Sequence, residues 1–207
     1  MNRRAMARPF TLPQILATLL ASLALGLSAC SGGAPADKPP LADAAIGGPF
    51  TLVDKDGRTV TDRSFPGKYL VVYFGYTYCP DACPADVSVL ARGLKALEQS
   101  HPDKLERIQP LFITIDPQRD TPARVGEFAA AFSPRLIGLT GAPEQIAKVA
   151  KEYGAYYARN PDSKGSDYLM DHTRIAYLIG PDGKPITMLP VDKGPDAVAA
   201  ELARWVS

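Results

Sequence analysis

The sequence predicts an α/β domain over residues 49–207, on three observations. Two continuous apolar runs rich in β-branched residues, 69–74 (YLVVYF) and 111–115 (LFITI), have the composition of strands buried on both faces. Segments with helical spacing follow both. Two cysteines, Cys79 and Cys83, stand where the first run gives way to the first long helical segment. The bulk properties agree: 207 residues suit one globular domain plus a targeting segment. A hydrophobic content of 46% with 22% charged residues supports a packed core. Formal net charge is +1, and −2 once residues 1–29 with Arg3, Arg4 and Arg8 are set aside. Such a near-neutral domain lacks the basic footprint of a nucleic-acid binder.

Residues 50–53 and 58–60, joined by Asp54-Lys55-Asp56-Gly57, predict a short N-terminal hairpin. The strand at 69–74 comes next. Residues 84–100 predict a helix with Val87, Leu90, Leu94 and Leu97 on one stripe. After the strand at 111–115, Asp120-Thr121-Pro122 supplies a capping residue and a first-turn proline for a helix over 122–132. A short strand at 136–139 and a helix over 143–153 follow. Residues 154–171 read as a surface insertion before the last hairpin, whose strands at 174–179 and 185–189 flank the turn Pro181-Asp182-Gly183-Lys184. A helix over 196–206 closes the chain. The order β-α-β-α then β-β-α, with a dithiol after the first long buried strand, is a thioredoxin-like arrangement.

The start of the chain reads as an export signal of lipoprotein type. Three arginines precede an apolar run at 15–27, then the small residues Ser28 and Ala29, then Cys30. Leu27-Ser28-Ala29-Cys30 resembles a bacterial lipobox, which makes Cys30 the lipidated residue and residues 1–29 the signal; the alternative is an uncleaved anchor helix with a passive cysteine. Residues 30–48 are rich in Gly, Pro and Ala and read as a flexible tether reaching at most roughly 60 Å, at about 3.3 to 3.6 Å per residue. The expectation is a domain held on the membrane of a bacterial cell envelope, facing the periplasm or the outside.

The chemistry concentrates in Gly75-Tyr76-Thr77-Tyr78-Cys79-Pro80-Asp81-Ala82-Cys83-Pro84. A helix N-terminus favours negative charge and so the thiolate, which is both ligand and nucleophile; both sulfurs are expected to have lowered pKa values. The spacing is C-x3-C rather than the C-x-x-C of oxidoreductases. His172 precedes the strand at 174–179, in the loop that faces the dithiol in a thioredoxin-like fold, where oxidoreductases carry a cis-proline and this chain has none. Two thiolates and one imidazole form a soft site suited to copper(I) or zinc. With no fourth ligand in view for zinc, copper is favoured. Asp171 reads either as an acceptor that orients the imidazole or as a loop carboxylate facing water. Met170 reads as packing more than as a ligand, and His101 as a solvated helix-end residue. Asp116-Pro117-Gln118-Arg119-Asp120-Thr121-Pro122 follows a buried strand and is sufficiently read as a capped helix start, with a role in shaping the metal face as the alternative.

The segments from Tyr73 through Pro84, from Thr114 through Pro122, and Asp171-His172 together resemble the signatures of the Sco/SenC family, in the right order. That resemblance implies a thioredoxin-like fold and copper, as Cu(I) and Cu(II), held by Cys79, Cys83 and His172. It implies a metallochaperone that helps assemble the binuclear copper site of cytochrome c oxidase subunit II. Its partners would be that subunit and other envelope copper chaperones or thiol oxidoreductases. The main rival is a thiol–disulfide oxidoreductase that reduces the copper-site cysteines, through the redox-active pair Cys79 and Cys83. A peroxidase-like enzyme on the same fold, with Arg174 stabilising the departing oxygen, is a weaker third.

Overall fold

The structure is a computed structural model that describes residues 38–207. The proposed signal and Cys30 lie outside the described residues. Residues 39–207 form one compact unit. No helix among the described residues is long and apolar enough to cross a membrane.

In chain order the strands are β1 (Thr51–Val53), β2 (Thr59–Thr61), β3 (Tyr69–Gly75), β4 (Ile108–Thr114), β5 (Ile137–Leu139), β6 (Tyr157–Arg159), β7 (Met170–His172), β8 (Ala176–Ile179) and β9 (Pro185–Leu189). The helices are α1 (Ala82–Ser100), α2 (Pro102–Glu106), α3 (Pro122–Phe132), α4 (Pro143–Glu152) and α5 (Pro195–Trp205). A five-stranded sheet in the order β5-β4-β3-β8-β9 forms the centre. Strands β3, β4 and β5 run parallel, whereas β8 and β9 are antiparallel additions. This mixed sheet with its helices is the thioredoxin-like α/β fold expected from the element order.

Every residue of β3 is buried, which explains why its run is apolar without alternation. Tyr73 stacks on Phe112, and Phe112 in turn packs on Phe128 of α3. On the opposite face Phe74 packs on Tyr153 at the end of α4, and Tyr153 on Tyr177 of β8. With both faces of β3 covered, its C-terminal end is a fixed platform for the dithiol loop. Gly75, the last residue of β3, carries that loop over the core. A Cβ there would lie 2.9 Å from Tyr73 Cε1 and 3.0 Å from both Cys83 Sγ and Phe112 Cε2. Only glycine leaves the sulfur its place.

Three local expectations are revised. Helix α1 starts at Ala82, two residues early, so Cys83 sits in its first turn. A short helix, α2, follows His101, which is exposed and caps both helices. The region read as a surface insertion contains a two-stranded sheet of its own, β6 with β7, in which Tyr157 pairs with His172. His172 therefore stands at the end of a strand rather than in a loop. The hairpin was not legible because each strand has only three residues, too few to display a period of two.

Candidate metal centre

Cys79, Cys83 and His172 come together at the C-terminal end of β3, with one donor atom from each lying within 4.8 Å of the other two. Each arrives from a different piece of structure. Cys79 belongs to the loop after β3, where its N–H donates to the Tyr76 carbonyl. Cys83 occupies the first turn of α1 and is fully buried. His172 ends β7. Cys83 Sγ lies 3.1 Å from His172 Nε2. The imidazole is held edge-on between two phenol rings, with Tyr73 at 6.5 Å and Tyr76 at 5.9 Å between centroids.

The start of α1 explains the sulfur chemistry. Its N-cap residue, Asp81, makes no side-chain cap hydrogen bond. Instead the free N–H of Cys83 donates to Cys79 Sγ at 3.3 Å, so the sulfur takes the acceptor role at the helix's positive end. The Cys79 thiol is pulled down to about 3, first by the Cys83 thiol donating to its thiolate, and further by His172 and by backbone N–H groups. Cys83 moves the other way. It is pushed up because its proton is already shared with the Cys79 thiolate and because it is buried. The expectation that both sulfurs are acidified is thus corrected: the pair loses one proton readily and resists losing the second. In the reduced, metal-free chain, iodoacetamide should label Cys79 before Cys83. The Cys79 rate should stay nearly level from about pH 8 to about pH 5, where an ordinary thiol loses about tenfold per unit. Mass mapping after brief exposure checks this, and equal labelling of the two sulfurs would contradict it.

Asp171 does not orient the imidazole. Adjacent residues of a strand face opposite ways, and Asp171 is exposed, accepting from the Asn160 side chain at 2.9 Å. His172 Nδ1 instead lies 3.1 Å from the Thr173 carbonyl. That contact on Nδ1 turns Nε2 toward the sulfurs. Met170 is half-buried against the core, and its backbone N–H donates to the Tyr76 hydroxyl. Arg174 holds the Asp86 carboxylate through both Nε and Nη2, so it is not available to a departing peroxide oxygen.

The Asp116–Pro122 segment does more than cap a helix. The fully buried Asp120 accepts from the Thr77 N–H at 3.0 Å and from the hydroxyls of Thr77 and Thr114, both at 2.6 Å. It thereby pins the loop two residues before Cys79. Burial raises its pKa, and the hydroxyl donors counter that. Asp116 accepts from Arg119 at 2.5 Å and from the Tyr168 hydroxyl at 2.7 Å, tying this loop to the segment before β7. Arg119 lies flat over Tyr168, 3.6 Å from its centroid. Sequence reading missed Asp120 as a loop anchor because its partners Thr77 and Thr114 are far apart in the chain.

Two sulfurs and one imidazole nitrogen at this spacing fit a single soft ion, with a coordination number below the four that structural zinc usually demands.

Comparison with known proteins agrees with this geometry. The SCO1/SenC family description matches residues 38–207. The human mitochondrial protein "SCO1 homolog" is 39% identical over 76% of this chain and 52% of its own length, so the chain spans about half of that relative. The copper-bound structure of Bradyrhizobium japonicum ScoI is 40% identical, covers 77% of this chain and 99% of that one, and superposes with a TM-score of 0.69. BsSco, described as a member of the Sco family of cytochrome c oxidase assembly proteins with a disulfide switch, is 25% identical. It covers 81% of this chain and 95% of its own, with a TM-score of 0.63. The expected location is corrected by the curated relative: the human protein is a mitochondrial one, which points to mitochondria rather than to a bacterial envelope. An arginine-bearing, acid-free start is common to secretory and mitochondrial targeting segments, so that pattern did not separate the two. With a fold, a three-donor cluster and a family match spanning all described residues, the chain belongs to the SCO1/SenC family.

Proposed function

We propose that this chain is a copper metallochaperone that takes copper as cargo on Cys79, Cys83 and His172 and helps build the binuclear copper site of cytochrome c oxidase subunit II. The observation that carries the reading is the convergence of two sulfurs and one imidazole nitrogen within 4.8 Å. Soft thiolates favour copper(I), and the added nitrogen suits copper(II), so one site serves both states. Copper in a solved relative and the oxidase-assembly description of another support the same cargo and destination. The apolar run at 15–27 and the tether at 30–48 support attachment of the domain to a membrane.

A second reading, reduction of the oxidase's copper-site cysteines, is favoured by the asymmetry of the dithiol. An acidic, half-buried Cys79 beside a buried Cys83 that keeps its proton is the division of labour of an attacking thiolate and a resolving thiol. One experiment separates the two. The copper-loaded, reduced chain is mixed with the metal-free copper domain of subunit II in two forms, one with its cysteines reduced and one with them joined as a disulfide. Delivery predicts near-stoichiometric movement of copper from the chain to the reduced form, which turns purple once one electron per binuclear site is withdrawn by added ferricyanide. Transfer to neither form, with disulfide reduction by the metal-free chain alone, would replace the chaperone reading with the reductase one.

A further inference from the structure

The β6–β7 hairpin that carries His172 is not part of the central sheet. The next strand, β8, is already fixed to β3 by the pairing of Ala176 with Tyr73. Residues 173–175 bridge the two, and the half-exposed Arg174 lies among them. Its guanidinium reaches across to helix α1 and grips Asp86 with two bonds, Nε to Oδ2 at 3.0 Å and Nη2 to Oδ1 at 2.6 Å. Asp86 is the one charged side chain on the buried face of α1, three residues after Cys83 and so on the same side of the helix. Its Oδ2 also accepts from the Tyr73 hydroxyl at 2.9 Å, and the Tyr73 ring stands edge-on to His172. A carboxylate this well buried needs a partner, and the partner comes from two residues beyond the imidazole. The planar fork of arginine fixes direction as well as distance, which a lysine ammonium would not.

We propose that the Asp86–Arg174 ion pair is a brace that sets the separation of Cys83 and His172, so that the imidazole is held beside the dithiol before any metal arrives. Asp86 and Arg174 act as positioning residues, touching neither sulfur nor imidazole nitrogen. The consequence for copper rests on the proposed chaperone reading, whereas the consequence for the metal-free site does not.

The test uses the full chain carrying Arg174→Gln, since the half-exposed position tolerates the change, with Arg174→Lys beside it. The background carries His101→Asn, so that only one imidazole contributes to the spectrum. In the reduced, metal-free parent, His172 should give one narrow set of ring resonances. In R174Q these should broaden or multiply, and copper(II) affinity should fall about 10- to 100-fold, the usual cost of losing a residue that orients a ligand. Copper(I) affinity, which rests on the sulfurs, should fall by less. R174K should lie between parent and R174Q in both readouts. A lower melting temperature in R174Q with an unchanged His172 spectrum would reduce the pair to general stability and overturn the brace. Copper(II) affinity within twofold of the parent would overturn it as well. If the parent itself fails to bind copper, the chaperone reading falls, and the metal-free spectrum still decides the brace.

Discussion

Replacing Cys83 by serine is expected to weaken copper(I) binding to the reduced chain by more than about 100-fold, beyond what loss of an outer partner costs. Cys79→Ser should do the same, although the two sulfurs live in different surroundings. Cys83 is fully buried in the first turn of α1, and its sulfur lies 3.1 Å from His172 Nε2. Cys79 is half-buried and held by the helix N–H. A serine hydroxyl nearly matches the thiol in size but is a hard, neutral donor with little affinity for copper(I). The fold should survive, because neither cysteine is part of a disulfide and β3 beneath them is packed on both faces. Competition with a copper(I) chelator measures the loss, and thermal melting of the metal-free variants provides the control. A variant that competes as well as the parent would remove that sulfur from the site.

The fold and the three central site residues could be read from the sequence for physical reasons that also explain what could not. Strand β3 and helix α1 announce themselves because their side chains report burial directly: an unbroken apolar run, and a stripe through Val87, Leu90, Leu94 and Leu97. Cys79, Cys83 and His172 stood out because cysteine and histidine are scarce here and fell at positions where a thioredoxin-like chain places its chemistry. Polar positioning groups give no such signal. Asp120 looks like part of a helix cap until Thr77 and Thr114 are seen to donate to it. Asp86 interrupts the apolar face of α1, and its partners, Arg174 88 residues away and the Tyr73 hydroxyl, explain its presence. The opposite fates of the two thiols depend on which one donates to the other, and spacing alone does not encode that direction. Asp171 misled because adjacency in sequence suggests contact, whereas β7 turns adjacent side chains to opposite faces.

Replacing His172 by alanine should separate metal binding from redox chemistry at the same sulfurs. Closing a Cys79–Cys83 disulfide removes the thiolate charge and lone-pair donation that hold copper(I), so oxidation expels the metal. By linkage, bound copper must equally protect the thiols. On the proposed reading His172 is a ligand in only one of these two equilibria. Without it, copper(II), which depends most on the nitrogen, should bind more than about 100-fold more weakly, while copper(I) keeps both thiolates and loses less. The dithiol potential should move little. What disappears from the reduced, metal-free state is the 3.1 Å contact between Cys83 Sγ and Nε2, together with the imidazole's share in holding Cys79 as thiolate. Polar contacts of that kind contribute about 1 kcal/mol each, and each ~1 kcal/mol corresponds to about 20 mV for a two-electron couple. Copper affinities in both oxidation states and the dithiol potential, measured side by side in the parent and His172→Ala, decide the matter. Equal binding of both copper states would remove His172 from the ligand set and make the thiol reductase the better reading. A shift in potential far above 20 mV would mean that the imidazole controls the dithiol itself, and the two equilibria would then share all three residues.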